Sequence, residues 1–296
     1  MKNIGDLINL LDDKLGFFFF KNNNLFSYNL FSKFFEKKII KESSNLLINS
    51  YKKNGFAKGP AISRGLVDQI NSEIQKQKVE MNKNNFYLFK WTDELKILLK
   101  KIIHQELYQT IVDLQMYHCS PIILTHVRIQ RNFGYKKEAF KEQFSDNFHN
   151  DRWLCTYIKI FINLEDVGED KGPTYIIPKN KTADFIKTTN YKSRNNYKDI
   201  RYKNTYLNIG ASGESFVFNP SQCIHRAGIP AQGQKRDIMM LQLCVTPNYN
   251  KQDLKKIDVN LTDEAFGDYD KLSYYYTKPY GLKKTYKLFE DFLNFK

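Results

Sequence analysis

Three residues of the sequence have types and spacing suited to binding a metal ion. His149 lies two residues before Asp151 in the stretch Phe-His-Asn-Asp. On a strand, residues i and i+2 point to the same face, so the imidazole and the carboxylate can converge on one ion. His225 follows far downstream, just after an Asn-Pro-Ser turn at 219–221. Two histidines and one carboxylate form the facial triad typical of non-haem Fe(II), although the ligand types do not exclude zinc.

A second feature strengthens this interpretation. A His-x-Asp pair occurs by chance in many chains, and taken alone His149 is better explained as a hydrogen-bonded loop histidine. Arg236, however, lies eleven residues after His225, at the start of the next predicted strand. A guanidinium there can hold the far carboxylate of a dicarboxylate through two parallel hydrogen bonds. The alternative for a single arginine at this position is a solvated charge at a strand end.

Four stretches of the chain together resemble the phytanoyl-CoA dioxygenase-like family of Fe(II)/2-oxoglutarate-dependent oxygenases. They are FHND around His149, YIKIFINLEDVGEDKGPTYIIP over 157–178, GASGESFVFNPSQCIHRAG over 210–228 and QKRDIMMLQLC over 234–244. The resemblance implies a double-stranded β-helix core, that is, a cupin-like jelly roll. It also implies Fe(II) on His149, Asp151 and His225, and 2-oxoglutarate on Arg236. The chain departs from the family after Pro178, where it has Lys-Asn-Lys and relatives usually have Gly-Ser-His.

The resemblance also implies a reaction. With O2, 2-oxoglutarate is converted to succinate and CO2 while a C–H bond of the substrate is hydroxylated. Halogenating members of the family lack the carboxylate ligand, so the presence of Asp151 favours hydroxylation. We expect a small-molecule substrate or a small-molecule conjugate. The alternatives are a non-catalytic cupin-like binding protein and an oxygenase that acts on nucleic acid or protein.

Further candidates surround the predicted site. Arg128 and Gln130 share one face of a predicted strand, and they reach the co-substrate only if that face points inward. Lys159 lies within an apolar strand, so it either pairs with a carboxylate, for example that of the co-substrate, or extends to solvent from an edge strand. Trp153 and Arg226 are candidates for the substrate pocket, although Trp153 is better explained as a core residue.

The elements that must position these residues change in type along the chain. Residues 1–115 read as a mostly helical N-terminal layer, with helices predicted from Ser63 to Gln77 and from Leu95 to Tyr108. Residues 116–248 read as a strand-rich jelly-roll core with short strands separated by turns. Strands are predicted at 122–130, 157–164, 174–177, 215–218 and 238–245. The fold class is therefore mainly β with helices.

The rest of the chain completes a single predicted domain over 1–296. Residues 179–208 are polar, basic and weakly periodic, and we interpret them as a long loop inserted as a lid. Basic residues outnumber acids there, from which we hypothesise an anionic substrate. Residues 249–296 read as a helical tail. The aromatic segment 17–40 could form a dimer surface, a core or a membrane contact.

Composition narrows the class of protein. The chain carries a net charge of +14, but only eight of its 46 basic residues are arginine, which argues against nucleic acid as a partner. The four cysteines show no CxxC or zinc spacing and are interpreted as reduced thiols. No stretch reaches the roughly 20 apolar residues needed to cross a bilayer. We therefore expect a cytoplasmic enzyme.

Overall fold

A computed structural model describes most of the central part of the chain. The described residues are 45–80, 86–118, 122–135, 146–151, 157–191, 202–220, 222–245, 255–257 and 263–267. The helices are α1 (Leu46–Asn54), α2 (Arg64–Gln75), α3 (Asp93–Lys101), α4 (Tyr108–His118) and α5 (Thr182–Thr189). The strands are β1 (Phe56–Lys58), β2 (Phe86–Leu88), β3 (Ile122–Phe133), β4 (Tyr157–Asn163), β5 (Tyr175–Ile177), β6 (Tyr206–Leu207), β7 (Ser215–Phe218), β8 (Ile224–Arg226) and β9 (Lys235–Val245).

Two antiparallel sheets form the core. The larger has the strand order β1-β7-β4-β9-β3-β2, and the smaller has the order β6-β5-β8. Ile176 of the smaller sheet packs against Phe161, Phe216 and Ile238 of the larger one, so the two sheets face each other across an interior. The predicted fold class, a β-dominated jelly roll with helices, is confirmed.

The outer face of the six-stranded sheet carries the main hydrophobic core. Alternate residues of the long strands, such as Val127, Ile160 and Leu241, pack there against buried residues of the helices, such as Ile70 and Leu99. This alternation follows from the pleat, which sends successive side chains to opposite faces. Full burial of one such side chain stabilises the fold by roughly 1.5–3 kcal/mol. The helical layer therefore covers the back of the sheet and leaves its other face to the interior.

The two helices predicted in the N-terminal layer differ in outcome. The first is α2, which begins after Ser63 and buries Leu66, Ile70 and Ile74 as the spacing indicated. The second, predicted as one unbroken helix from Leu95 to Tyr108, is wrong. The helix begins earlier, because the Thr92 hydroxyl caps it, and a π-helical turn at Ile102–Glu106 separates α3 from α4. Buried Ile102 and Ile103 explain why local periodicity did not reveal the turn, since tertiary packing holds it.

The interpretation of 179–208 as one long loop is also wrong. A 3-10 turn at Lys179–Lys181 leads into α5, which ends at Asn190 in the left-handed region. Two adjacent apolar residues, Phe185 and Ile186, are buried against the outside of the small sheet and hold this short helix. Two side chains give little periodicity, so the sequence signal was weak. A role as a lid stays a prediction.

Several expectations concern parts of the chain that the structure does not describe. The aromatic segment 17–40, most of the helical tail 249–296 and Trp153 lie outside the described residues. The single-domain organisation therefore stays a prediction. In the described ranges, no helix is both long enough and apolar enough to cross a membrane.

Candidate metal centre

A backbone bridge brings the two predicted histidine ligands together. His149 lies outside the regular strands, and it pairs with His225 of β8 as an isolated antiparallel bridge. Its N–H donates to the His225 carbonyl at 2.9 Å, and the N–H of His225 donates back at 2.7 Å. Directly paired residues present their side chains on the same face, so the ring centroids lie 4.4 Å apart. Main-chain pairing therefore joins two positions that are 76 residues apart in sequence.

Each imidazole is oriented by a second hydrogen bond. The Nδ1 atom of His149 lies 2.7 Å from the Asn147 carbonyl, and Nδ1 of His225 lies 3.0 Å from the Cys223 carbonyl. When Nδ1–H donates to a carbonyl, the lone pair lies on Nε2, and this is how metal-binding histidines are usually fixed. Both Nε2 atoms consequently face the same point of the interior.

Asp151 completes the cluster. Its backbone N–H donates to the Pro220 carbonyl at 2.9 Å, which holds it beside the turn before β8. Its Oδ1 atom lies 3.6 Å from Nε2 of His149 and 3.8 Å from Nε2 of His225. The ligand atoms of all three residues lie within 4.8 Å of one another, so one ion can contact them all.

The charge state of Asp151 suits a cation. Burial alone would raise its pKa, but Lys159, His225 and His149 outweigh burial and hold the pKa well below the usual range. The carboxylate is therefore ionised throughout the neutral range. Two neutral imidazoles and one carboxylate make a donor set that fits Fe(II), with positions left open for other ligands.

The inner face of β3 supplies polar side chains to the same interior. His126, Gln130 and Asn132 are buried, and Arg128 on the same face is partly buried. The open question of which way this face points is thereby answered: it points inward. Gln130 donates through Nε2 to Oδ1 of Asn132 at 2.6 Å, and its own Oε1 has no hydrogen-bond partner among the described residues.

Arg236 lies on β9 opposite Asn132 in register, with 2% of its surface exposed. Its neighbour Asp237 fixes the strand start from the other face, because Arg131 donates to both Asp237 oxygens at 2.7 Å. A carboxylate oxygen of Glu165 also accepts from the Asp237 N–H at 2.9 Å. The outward pairing of Asp237 therefore commits Arg236 to the interior.

The guanidinium of Arg236 is buried but incompletely satisfied. Its Nε and Nη1 atoms have no hydrogen-bond partner among the described residues. Burial lowers its pKa to about 10, against the opposing effects of Asp146, Glu165 and Tyr175, so the group stays charged at neutral pH. Leaving a buried charged donor without a partner is costly. A carboxylate ligand would supply such acceptors, and the predicted alternative of a solvated strand-end charge does not fit this burial.

Three other predicted site residues have different surroundings. Lys159 is partly buried beside the cluster, but the carboxylate it contacts is Asp151, with Nζ 2.5 Å from Oδ2. Arg226 lies on the face of β8 opposite to His225, where its guanidinium packs over the rings of Tyr175 and Phe148. The structure thus does not bring Arg226 into the interior beside the metal ligands. Trp153 is outside the described residues.

Sequence reasoning missed two polar residues of the inner face, Asn132 and Gln242. Gln242 is the register partner of both His126 and Lys159, in the middle of the sheet. The alternation that grouped His126, Arg128 and Gln130 extends by two more residues to Asn132, so the signal was present in the sequence. It was missed because the strand was predicted to end at Gln130, whereas β3 continues to Phe133.

Comparison with known proteins supports the fold. No family model and no curated protein matches the sequence. Among solved structures, HygX from Streptomyces hygroscopicus, with nickel and 2-oxoglutarate bound, has a TM-score of 0.51 and 12% identity over 69% of this chain and 88% of its own. The epimerase SnoN from nogalamycin biosynthesis has a TM-score of 0.47 and 13% identity over 75% of this chain and 94% of its own. The chain shares the HygX fold.

Proposed function

We propose that this protein is an Fe(II)- and 2-oxoglutarate-dependent dioxygenase of the phytanoyl-CoA dioxygenase-like kind. One observation carries the proposal: the His149, Asp151 and His225 ligand atoms converge within 4.8 Å. The buried guanidinium of Arg236, in the same interior, supports it, since two of its nitrogens have no acceptor within the described part of the chain. HygX, whose fold the chain shares, has nickel and 2-oxoglutarate bound.

Different residues would have different roles in the proposed reaction. His149, Asp151 and His225 would hold Fe(II), which supplies the activation of O2 that protein side chains cannot supply. Arg236 would bind the distal carboxylate of 2-oxoglutarate and so orient the co-substrate. Gln130 lies on the same inner face, and its Oε1 accepts no hydrogen bond from any described residue, so it would contact the co-substrate or substrate. The apolar wall of Phe161, Phe216 and Phe218 excludes water from the interior.

We infer that the reaction is hydroxylation of a C–H bond, with release of succinate and CO2. The presence of Asp151 supports this, because a halide has no vacated ligand position to occupy. The substrate proposed is a small molecule or a conjugate, and the basic residues of 179–208 favour an anionic one. We place the enzyme in the cytoplasm, in keeping with the free thiols of Cys223 and Cys244. The aromatic N-terminal segment is proposed as a homodimer surface.

The test is binding and turnover of 2-oxoglutarate itself. Anaerobic protein loaded with Fe(II) is titrated with 2-oxoglutarate, and the charge-transfer absorption of the chelate is recorded. Air is then admitted, and succinate is measured with and without candidate substrates. Saturable absorption followed by succinate release is the expected result. Absence of both from protein that holds iron would contradict the proposal and leave the cupin-like binding protein as the alternative.

A further inference from the structure

The two oxygens of Asp151 have different surroundings. Oδ1 faces the Nε2 atoms of both histidines, at 3.6 and 3.8 Å. Oδ2 faces the other way and accepts from Lys159 Nζ at 2.5 Å. A carboxylate can bind a metal through one oxygen or through both. In this arrangement, one oxygen lies where the ion would bind and the other is already held.

The strand fixes Lys159 in this position. It lies on β4 in the middle of the six-stranded sheet, with Phe218 on one side and Gln242 on the other in register. Its side chain is 13% exposed, so solvent competes little for the ammonium. A charge-assisted hydrogen bond in such surroundings is about twice as strong as a neutral one. Lys159 can therefore determine how Asp151 is presented.

We propose that Lys159 is a positioning residue that restricts Asp151 to one metal-facing oxygen. The inference rests on the proposed function, since it concerns the same metal centre. It replaces the expectation that Lys159 binds the co-substrate, because the ammonium is already engaged by a ligand residue. One oxygen from Asp151 and one nitrogen from each histidine leave about three positions open on a six-coordinate ion.

The restriction has a consequence for co-substrate binding. 2-Oxoglutarate that chelated such an ion through two atoms would need two neighbouring open positions, and O2 would need a third. If Asp151 bound through both oxygens, one of these positions would be lost. Lys159 would thus keep the ion open for both ligands, with no contact of its own to either.

The experiment counts water molecules on the bound ion. Mn(II) is loaded anaerobically in place of Fe(II), and metal-bound water is counted by 17O and proton relaxation without 2-oxoglutarate. The variants are Lys159→Met, which removes the ammonium, and Lys159→Arg, which retains a charged donor. Lys58→Met is the matched control, because it also removes one lysine of the sheet, but one paired at the surface with Glu214.

The expected result is about three bound waters in the unsubstituted protein, in Lys58→Met and in Lys159→Arg, and about one fewer in Lys159→Met. The dissociation constant of 2-oxoglutarate should rise in Lys159→Met by roughly ten- to hundredfold, as for other changes to groups that orient a metal ligand. Lys159→Arg should restore most of this loss.

Three outcomes overturn the proposal, and they are distinct. An unchanged water count in Lys159→Met shows that Lys159 does not restrict Asp151. If this variant keeps its water count but binds 2-oxoglutarate more weakly, Lys159 contacts the co-substrate directly. About one water fewer already in the unsubstituted protein shows that Asp151 binds through both oxygens despite Lys159, and this measurement needs no folded variant. Failure of the unsubstituted protein to bind Mn(II) or Fe(II) contradicts the proposed function itself.

Discussion

The two faces of the six-stranded sheet are made by the same strands and differ in the polar residues that they carry. On β9, Met239, Leu241 and Leu243 point to the helical layer, while Arg236 and Gln242 point to the interior. The outer face gains free energy by burying apolar surface. The inner face also buries apolar residues such as Phe161 and Met240, but two nitrogens of Arg236 there have no hydrogen-bond partner among the described residues, which costs free energy. The outer face therefore stabilises the sheet, and the inner face can carry buried polar side chains that are available to bind a ligand.

The largest expected effect is on the inner side, at the metal ligands. His149→Ala, Asp151→Ala and His225→Ala should each abolish Fe(II) binding, because each removes one of three protein ligands. The bridge between residues 149 and 225 is made by the main chain, so the alanine variants should keep the fold. Calorimetric Fe(II) titration and circular dichroism measure the two effects. His104→Ala, at an exposed position on the π-helical turn, is the control. An Asp151→Ala protein with full iron occupancy would refute the triad.

The next effect concerns Arg236. Arg236→Lys should weaken 2-oxoglutarate binding at least about tenfold, because losing a desolvated charged pair costs about 2–5 kcal/mol and a lysine cannot form two parallel hydrogen bonds. Arg236→Ala should be worse, and Fe(II) should still bind to both. The measurement is titration of 2-oxoglutarate into the anaerobic Mn(II)-loaded protein.

Arg131→Lys is the matched control for Arg236→Lys, since Arg131 lies on the opposite face of the same strand pair. A lysine at this position can still pair with Asp237 and hold the start of β9, so the variant should leave co-substrate affinity nearly unchanged. Equal affinity for 2-oxoglutarate in all variants would mean that Arg236 does not bind the co-substrate. The claim that the inner face binds ligands while the outer face stabilises the fold would then lose its main support.

On the outer face, a substitution that shortens a buried apolar side chain should lower stability and leave the metal centre intact. Leu241 is fully buried between strands and helices, so Leu241→Ala should lower the free energy of unfolding by about 2–5 kcal/mol. Ile160→Val removes one methyl group at another buried position and should cost about 0.5–1.5 kcal/mol. Urea unfolding measures both values. A large change in Mn(II) affinity of the folded Leu241→Ala protein would show that the faces are not independent.

The last expected effect is a pH dependence at His126. Burial, with Arg128 and Lys159, lowers the pKa of His126 from 6.5 to about 3, so the folded state does not take up the proton that the unfolded state binds. Stability should therefore fall as pH drops from 6.5 towards 3. At pH 5 this group alone should cost about 2 kcal/mol.

The measurement for His126 is urea unfolding of metal-free protein at pH 7 and pH 5. His126→Asn cannot take up the proton, so its stability should fall by about 2 kcal/mol less over this interval. Other titrating groups contribute to both proteins and cancel in the difference. Identical pH dependence in the two proteins would mean that His126 is accessible to protonation in the folded state.

The sequence by itself determined five of the nine described strands, β3, β4, β5, β7 and β9, and the types of residue in the site. The alternation of β3 is a local pattern, and the period of a strand is enough to interpret it. The His-x-Asp pair and Arg236 after His225 were recognised from residue type and order, because His149 and Asp151 lie in no regular strand.

Only the tertiary structure decided which groups meet. The contact of Lys159 with Asp151, the outward packing of Arg226 over Tyr175 and the break of the helix at Ile102–Glu106 depend on non-local neighbours. The direction of the polar face of β3 was equally undetermined, since alternation gives two faces and does not say which is covered. Long-range packing made that choice: the helical layer buries the apolar face, and the polar face is left to the interior beside the metal ligands.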